Sequence, residues 1–237
     1  MDDIFDNVHK LNAAADARTD SLRISIDTKA ILKLGEISRR GYSRGKEAVK
    51  AQDKDLDIQE KLVPFGILEV QSGEFTIVFG TSRETSDFIV ESLKLWWEER
   101  KALYRHIREL VINLDNGPEL ASNRTQFIKR ITEFADRCQL TIHLVYYPPY
   151  HSKYNPVERV WGILENHWNG TLLIDRETVI AWAKTMTWKG ISPIVRILDK
   201  AFETGATVAK KAFRVFQDRL ERNPLLPKWD VVINPKT

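Results

Sequence analysis

Three acidic residues occupy positions where a carboxylate has an immediate chemical use. Asp27 lies in "RISIDTKA", a run alternating β-branched and polar residues. Asp115 closes the apolar run "ELVINLD", and Glu158 falls in "NPVERVWGILENHW", at the start of a Trp-rich helical pattern. A charge at the end of a buried strand is costly unless something pairs with it. Two acids on strand ends and one at a helix start can meet at one edge of a sheet. Three such carboxylates suit two Mg²⁺ ions (or Mn²⁺), since a hard cation prefers oxygen ligands and keeps several waters. Two ions held a few Å apart stabilise both the attacking and the leaving oxygen of an in-line phosphoryl displacement.

Each acid also has a plainer reading. Asp27 can sit on a solvated strand face. Asp115 precedes Asn116-Gly117, and an Asp at a strand end commonly starts an Asx turn. Asn155-Pro-Val-Glu158 fits a capped helix start, with Asn155 as N-cap, Pro156 at the first helical position and Glu158 reaching back to the cap. Taken singly, each acid leaves the choice open; taken together they favour metal chemistry.

Nothing else in the chain competes. The five histidines are scattered, no Gly-rich phosphate loop is present, and the single cysteine, Cys138, excludes an internal disulfide and a Cys-based zinc site. No stretch approaches the roughly 20 apolar residues of a membrane span, and the N-terminus lacks a secretory layout. A reducing cytoplasm is the expected location. Of the 237 residues, 36 are Lys or Arg and 33 Asp or Glu, a net charge of +3. That balance is only mildly basic, so placement matters more than the total. "SRRGYSRGK" gathers Arg39, Arg40, Arg44 and Lys46 in a Gly-punctuated stretch that can grip phosphates or simply form a solvated hairpin tip.

The elements that must position these groups follow from periodicity. Residues 22–30 read as a strand, and "LVPFGILEV" and "EFTIVFG", separated by "QSG", as a hairpin over 62–80. In "TSRETSDFIVESLKLWWEERKALY" the period becomes helical, with Phe88, Leu93, Trp96, Trp97 and Leu103 in step and Thr85 or Ser86 as N-cap. "ELVINLD" is a strand. "TQFIKRITEFADRCQ" places Phe127, Ile128, Ile131, Phe134, Ala135 and Cys138 on one helical stripe, and "LTIHLVYYP" is again a strand. Three strands followed by helix, strand, helix, strand, helix predict an α/β sheet whose first three strands form an antiparallel meander. Beyond Gly170, "DRETVIAWAKTMTW", "SPIVRILDKAFETG" and "VAKKAFRVFQDRLERN" read as three helices. The organisation expected is a lead-in over 1–20, a domain over 21–170, and a helical C-terminal extension over 171–237 packed on the core.

"ISIDTKA", "LVINLDNGPE" with "RTQFIKR" after it, and "YYPPYHSKYNPVERVWGILENHWNG" resemble the catalytic core of bacterial insertion-sequence DDE transposases, in the branch described as the Rhodopirellula-type transposase DDE domain. The resemblance runs from about Leu22 to Gly205 and includes "AKTMTWKG". "YHSKYNPVER" is similar to the "SP..NPIE" segment of neighbouring transposase families, whose Glu is the third catalytic acid. The resemblance implies an RNase H-like (retroviral-integrase-like) fold with a mixed five-stranded sheet and flanking helices. It also implies a two-metal site, and hydrolysis followed by strand transfer at transposon ends. Carried over, the catalytic and metal-binding triad is Asp27, Asp115 and Glu158, with Asp27 bridging both ions. His151 and Lys153 would then lie beside the scissile phosphate, Tyr150 and Tyr154 would stack on an unpaired base or pack the loop on the core, and Asn116 would orient the Asp115 carboxylate or a metal-bound water. The partners implied are transposon-end and target DNA and further copies of the chain on that DNA, with no membrane and no small-molecule substrate. Such an enzyme would be bacterial and associated with the nucleoid when acting. About 20 residues precede the first strand, too few for the helix-turn-helix that reads transposon ends in this family, so a catalytic domain without its reader is expected. A nuclease on the same fold and a non-catalytic DNA-binding remnant are the competing readings.

Overall fold

The computed structural model describes residues 2–37, 58, 60–148 and 151–236. The basic stretch with Arg39, Arg40, Arg44 and Lys46, and Tyr150, lie outside the described residues.

Alternation builds the central strand. In β1 (Ser21–Thr28), Ile24 and Ile26 are fully buried on one face, so Ser25 and Asp27 belong to the other. β1 pairs antiparallel with β3 (Glu60–Glu69), which pairs antiparallel with β4 (Phe75–Gly80), giving the expected meander. A short β2 (Leu32–Leu34) pairs with the start of β3. On its other side β1 runs parallel to β5 (Glu109–Leu114), and β5 parallel to β6 (Thr141–Tyr146). The order β4-β3-β1-β5-β6 is the five-stranded core that the sequence leads one to expect.

Helices cover both faces. α2 (Ser86–Arg100) is capped by the Thr85 hydroxyl, which accepts from the Phe88 N–H at 3.1 Å. α3 (Thr125–Cys138) buries the stripe Phe127, Ile128, Ile131, Phe134 and Ala135, while Cys138 is only partly covered, and ends at Gln139 in the left-handed region. Both pack on the face formed by Ile24, Ile26, Ile112 and Leu114. The opposite face is covered by α1 (Asp2–Asp16), through Val8 against Val111, Val145 and Tyr147, and by α4 (Pro156–His167) and α5 (Arg176–Thr185). Leu103 departs from the expected helical stripe: α2 stops at Arg100 and Leu103 is 63% exposed.

The C-terminal part corrects the expectation of an all-helical extension. Within "SPIVRILDKAFETG" the chain forms β7 (Ile194–Leu198), parallel to β4. "VAKKAFRVFQDRLERN" splits into α6 (Lys210–Gln217) and β8 (Leu220–Arg222), and β9 (Asp230–Ile233) pairs with β6 and β8. Among the described residues the sheet thereby grows to nine strands in the order β7-β4-β3-β1-β5-β6-β9-β8, with β2 on β3. Edge strands expose backbone donors and acceptors, and here the chain's own C-terminal segments fill both edges of the five-stranded core. Among the described residues no helix is long and apolar enough to cross a membrane.

Candidate active site

Register brings two of the acids together. Ser25 lies opposite Asn113 in the parallel β1–β5 pair, so Asp27 and Asp115, two residues further along each chain, share one face and one end of the sheet. Neighbouring strands run only about 5 Å apart. The Asx-turn reading of Asp115 also holds: Gly117 N–H donates to Asp115 Oδ1 at 3.2 Å. The turn fixes one carboxyl oxygen and folds the loop back under it.

The third acid arrives on α4, whose closeness to the sheet has a definite cause. On β3, opposite Asp27, stands Gly66. A Cβ built there would come within 2.6 Å of the Trp161 ring and 2.9 Å of Phe75. The missing side chain lets Trp161 lie against the strand, edge-on to Phe75 with ring centroids 5.3 Å apart. Glu158, one turn before Trp161, is thereby delivered to the Asp27 end of the sheet.

The helix start is not built as the sequence suggests. Asn155 is the N-cap residue, but its side chain makes no capping hydrogen bond. The cap comes from another strand: Val157 N–H donates to the Ser25 hydroxyl at 2.9 Å. Ser25 in turn donates to Asn155 Oδ1 at 2.5 Å, and the Asn155 amide donates to the Ile26 carbonyl at 2.9 Å. Sequence reading missed Ser25, since a single Ser in a strand carries no signal and its partner is 130 residues away.

Burial and mutual charge bear on the acids. Burial pushes the Asp27 carboxyl up to about 8, with the charges of Glu158 and then Asp115 adding to it, and Glu84 beyond them. Burial likewise raises Asp115, against the Gly117 hydrogen bond. Glu84, in the turn between β4 and α2, is also raised, first by desolvation and then by Glu119 and Asp115 nearby. This fourth acid was not singled out from sequence, where it reads as a residue of a polar turn. Uncompensated negative charge on hard oxygen donors suits a divalent cation in kind. Among the described residues no three side chains already stand close enough together to hold one.

The loop ahead of Glu158 packs on α1. Phe5 meets His151 edge-on at 5.3 Å and Tyr154 at 5.1 Å, and His151 stacks on Tyr154 at 5.9 Å. The Lys153 ammonium lies 5.3 Å from the Tyr154 ring centre. Tyr154 therefore packs within the protein while remaining half exposed. Asn116 accepts from Ser122 N–H at 3.2 Å, which ties down the loop after Asp115.

The family model of the Rhodopirellula transposase DDE domain matches residues 1–235. The chain belongs to this family. No curated protein matches the sequence. Among solved structures, a Mos1 transposase paired-end complex with left transposon end is similar at TM-score 0.50 and 10% identity, over 75% of this chain and 51% of that one. A Mos1 mariner paired-end complex with Mn gives 0.50 and 12%, over 76% and 52%. A simian T-cell lymphotropic virus intasome gives 0.42 and 21%, over 70% and 49%. The chain spans about half the length of these structures. At such identities the Mos1 likenesses speak for the fold, and the DDE domain is RNase H-like.

Proposed function

We propose that this DDE domain is the catalytic part of a transposase that cuts and joins DNA at the ends of an insertion sequence, with Asp27, Asp115 and Glu158 as its catalytic acids. The observation that carries the reading is that Asp27 and Asp115 share one end and one face of the sheet and that Asp27 feels the charge of Glu158, in a chain of this family. Asp27, Asp115 and Glu158 would hold two divalent cations, Mg²⁺ or Mn²⁺. When bound, the cations would neutralise charge at the scissile phosphate and acidify the attacking hydroxyl or water.

The chain's own part is placement. Asp27 feels the charge of both other acids, which suits the bridging position. The Asx turn fixes Asp115, and α4 presents Glu158. In the first step water attacks a phosphodiester at the transposon end and releases a 3′-hydroxyl. In the second that hydroxyl attacks a target phosphodiester, forming one P–O bond as another breaks. Both displacements use one in-line geometry, so one site serves both. Lys153 and His151, in the loop ahead of Glu158, would supply contacts to the strand being cut, with the exposed side of Tyr154 as a stacking surface for an unpaired base. Arg39, Arg40, Arg44 and Lys46 would extend the phosphate contacts, and several copies of the chain would assemble on the paired ends.

The test is incubation of the protein with end-bearing and target DNA in Mg²⁺ or Mn²⁺. Cleaved and joined products are expected, with both lost in Asp27→Asn, Asp115→Asn and Glu158→Gln while the fold persists. Cleavage without joining would make the protein a nuclease. DNA binding without either product would make it a non-catalytic binder.

A further inference from the structure

Ser25 and Asn155 form a closed set of hydrogen bonds in the dry interior, being 0% and 1% exposed. The Ser25 hydroxyl is used twice, as donor to Asn155 Oδ1 and as acceptor from Val157 N–H. The Asn155 amide is used twice as well, its oxygen by Ser25 and its nitrogen by the Ile26 carbonyl. That carbonyl has a reason to need a partner. The Arg23 carbonyl accepts from Val70 N–H, on the β3 side of the strand. Successive carbonyls alternate in direction, so Ile26 points to the β5 side, where pairing has ended at Ser25–Asn113. Asn155 fills the place that a ladder partner would have taken, and Ser25 satisfies an N–H that the helix start leaves open.

What the set joins matters more than what it satisfies. Ser25 is two residues before Asp27 on a strand with both neighbours paired. Asn155 is three residues before Glu158, at the base of a helix. A strand advances about 3.3 Å per residue and a helix about 1.5 Å, so each acid sits a few Å beyond the join on a stiff arm. Among the described residues, these three hydrogen bonds tie β1 to the start of α4.

We propose that Ser25 and Asn155 are positioning residues, a buried strut that fixes the distance between Asp27 and Glu158 and thereby sets how tightly this end of the sheet binds a divalent cation. The proposal rests on the reading of Asp27 and Glu158 as cation ligands. Groups that orient metal ligands typically change metal affinity by about 10–100-fold when removed, and removing Ser25 or Asn155 is expected to act on this scale.

The experiment compares Ser25→Ala and Asn155→Ala with two references. Glu158→Gln removes a ligand outright. Ser92→Ala removes another fully buried hydroxyl, bonded to the Phe88 carbonyl at 2.8 Å within α2, and controls for the stability cost of losing a buried hydroxyl. Mn²⁺ affinity is measured by electron paramagnetic resonance on DNA-free protein, at a temperature where melting curves show every variant folded. Expected are a loss of about tenfold or more in Mn²⁺ affinity in both strut variants, near-complete loss in Glu158→Gln, and unchanged affinity in Ser92→Ala. Should Ser25→Ala fail to fold, Asn155→Ala decides alone, since the Ser25 hydroxyl remains to cap Val157. If wild type binds Mn²⁺ and Glu158→Gln does not, yet both strut variants bind as wild type does, the strut idea is wrong and the metal reading stands. If the wild type and Glu158→Gln bind Mn²⁺ equally, Glu158 is not a ligand, and the strut proposal falls with that reading.

Discussion

Glu158 looks from sequence like a residue with two jobs, capping α4 and holding a cation, and in the structure the Val157 N–H of the first turn is satisfied by Ser25 instead. The remaining local benefit of Glu158 is a carboxylate near the positive end of a helix dipole, worth typically 0.3–1 kcal/mol, set against its repulsion with Asp27. Glu158→Gln should therefore change stability by less than about 1 kcal/mol in metal-free buffer, while cation-dependent cleavage falls by orders of magnitude. Glu165 is the internal reference. It lies two turns on, in an ion pair with Lys29 at 3.3 Å, and a partly exposed pair of this kind contributes at most about 1 kcal/mol. Glu165→Gln should leave cleavage close to wild type. Comparable losses of cleavage from the two substitutions, measured on one DNA substrate, would show that the wrong acid has been chosen.

At the scale of elements, the glycines of α4 and of its supporting strand make opposite demands. A Cβ at Gly66 would strike the Trp161 and Phe75 rings, which are 1% and 2% exposed and have nowhere to go. Gly66→Ala should cost about 1–3 kcal/mol, the usual range for overpacking, and should also lower cleavage by lifting the helix that carries Glu158. Gly162, on the same helix, meets nothing within 4 Å. Gly162→Ala should gain about 0.5–1 kcal/mol in thermal or denaturant unfolding with cleavage retained. A stabilising Gly66→Ala would contradict the packing argument. The same elements show where sequence stops being informative. The strands of the core and the stripe of α3 were legible because their apolar residues repeat at 2 and at 3.6. In "SPIVRILDK", Ile194, Val195, Ile197 and Leu198 satisfy a helical spacing as well as a strand, and what decides is β4 lying alongside. Leu220–Arg222 is too short to show any period. Asp27, Asp115 and Glu158 stand out as candidates because strand ends and helix starts are local features. Ser25 and Gly66 do not, because their importance lies in Asn155 and Trp161, distant in sequence.

Across the whole molecule, the chain closes on itself through one partly buried ionic group. His143 on β6 lies 2.7 Å from Asp230 on β9 and 3.6 Å from Glu109 on β5. Asn7 of α1 and Asn223 donate to the other Asp230 oxygen at 3.3 and 3.0 Å. First helix, central strands and last strand therefore meet around the His143–Asp230 pair. Burial disfavours the charged ring, but the hydrogen bonds to Asp230 and Glu109 outweigh it and raise His143 to about 9. Both carboxyls are held below their ordinary range, Glu109 chiefly by the His143 hydrogen bond and Asp230 by His143 and Asn223 against burial. The folded protein thus binds a proton more tightly than the unfolded chain, whose histidine titrates near 6.5. Stability from this source is fully present below about pH 6.5 and is lost as pH rises through about 9. The interval corresponds to roughly 3 kcal/mol. His143→Gln keeps a polar side chain and removes the titration. Its deficit in unfolding free energy should be largest near pH 6.5 and shrink steadily toward pH 9.5, the remainder reflecting neutral contacts. Urea unfolding of both proteins across that range measures the difference, and a gap that stays constant with pH would mean that the charge on His143 does not hold the C-terminal strand in place.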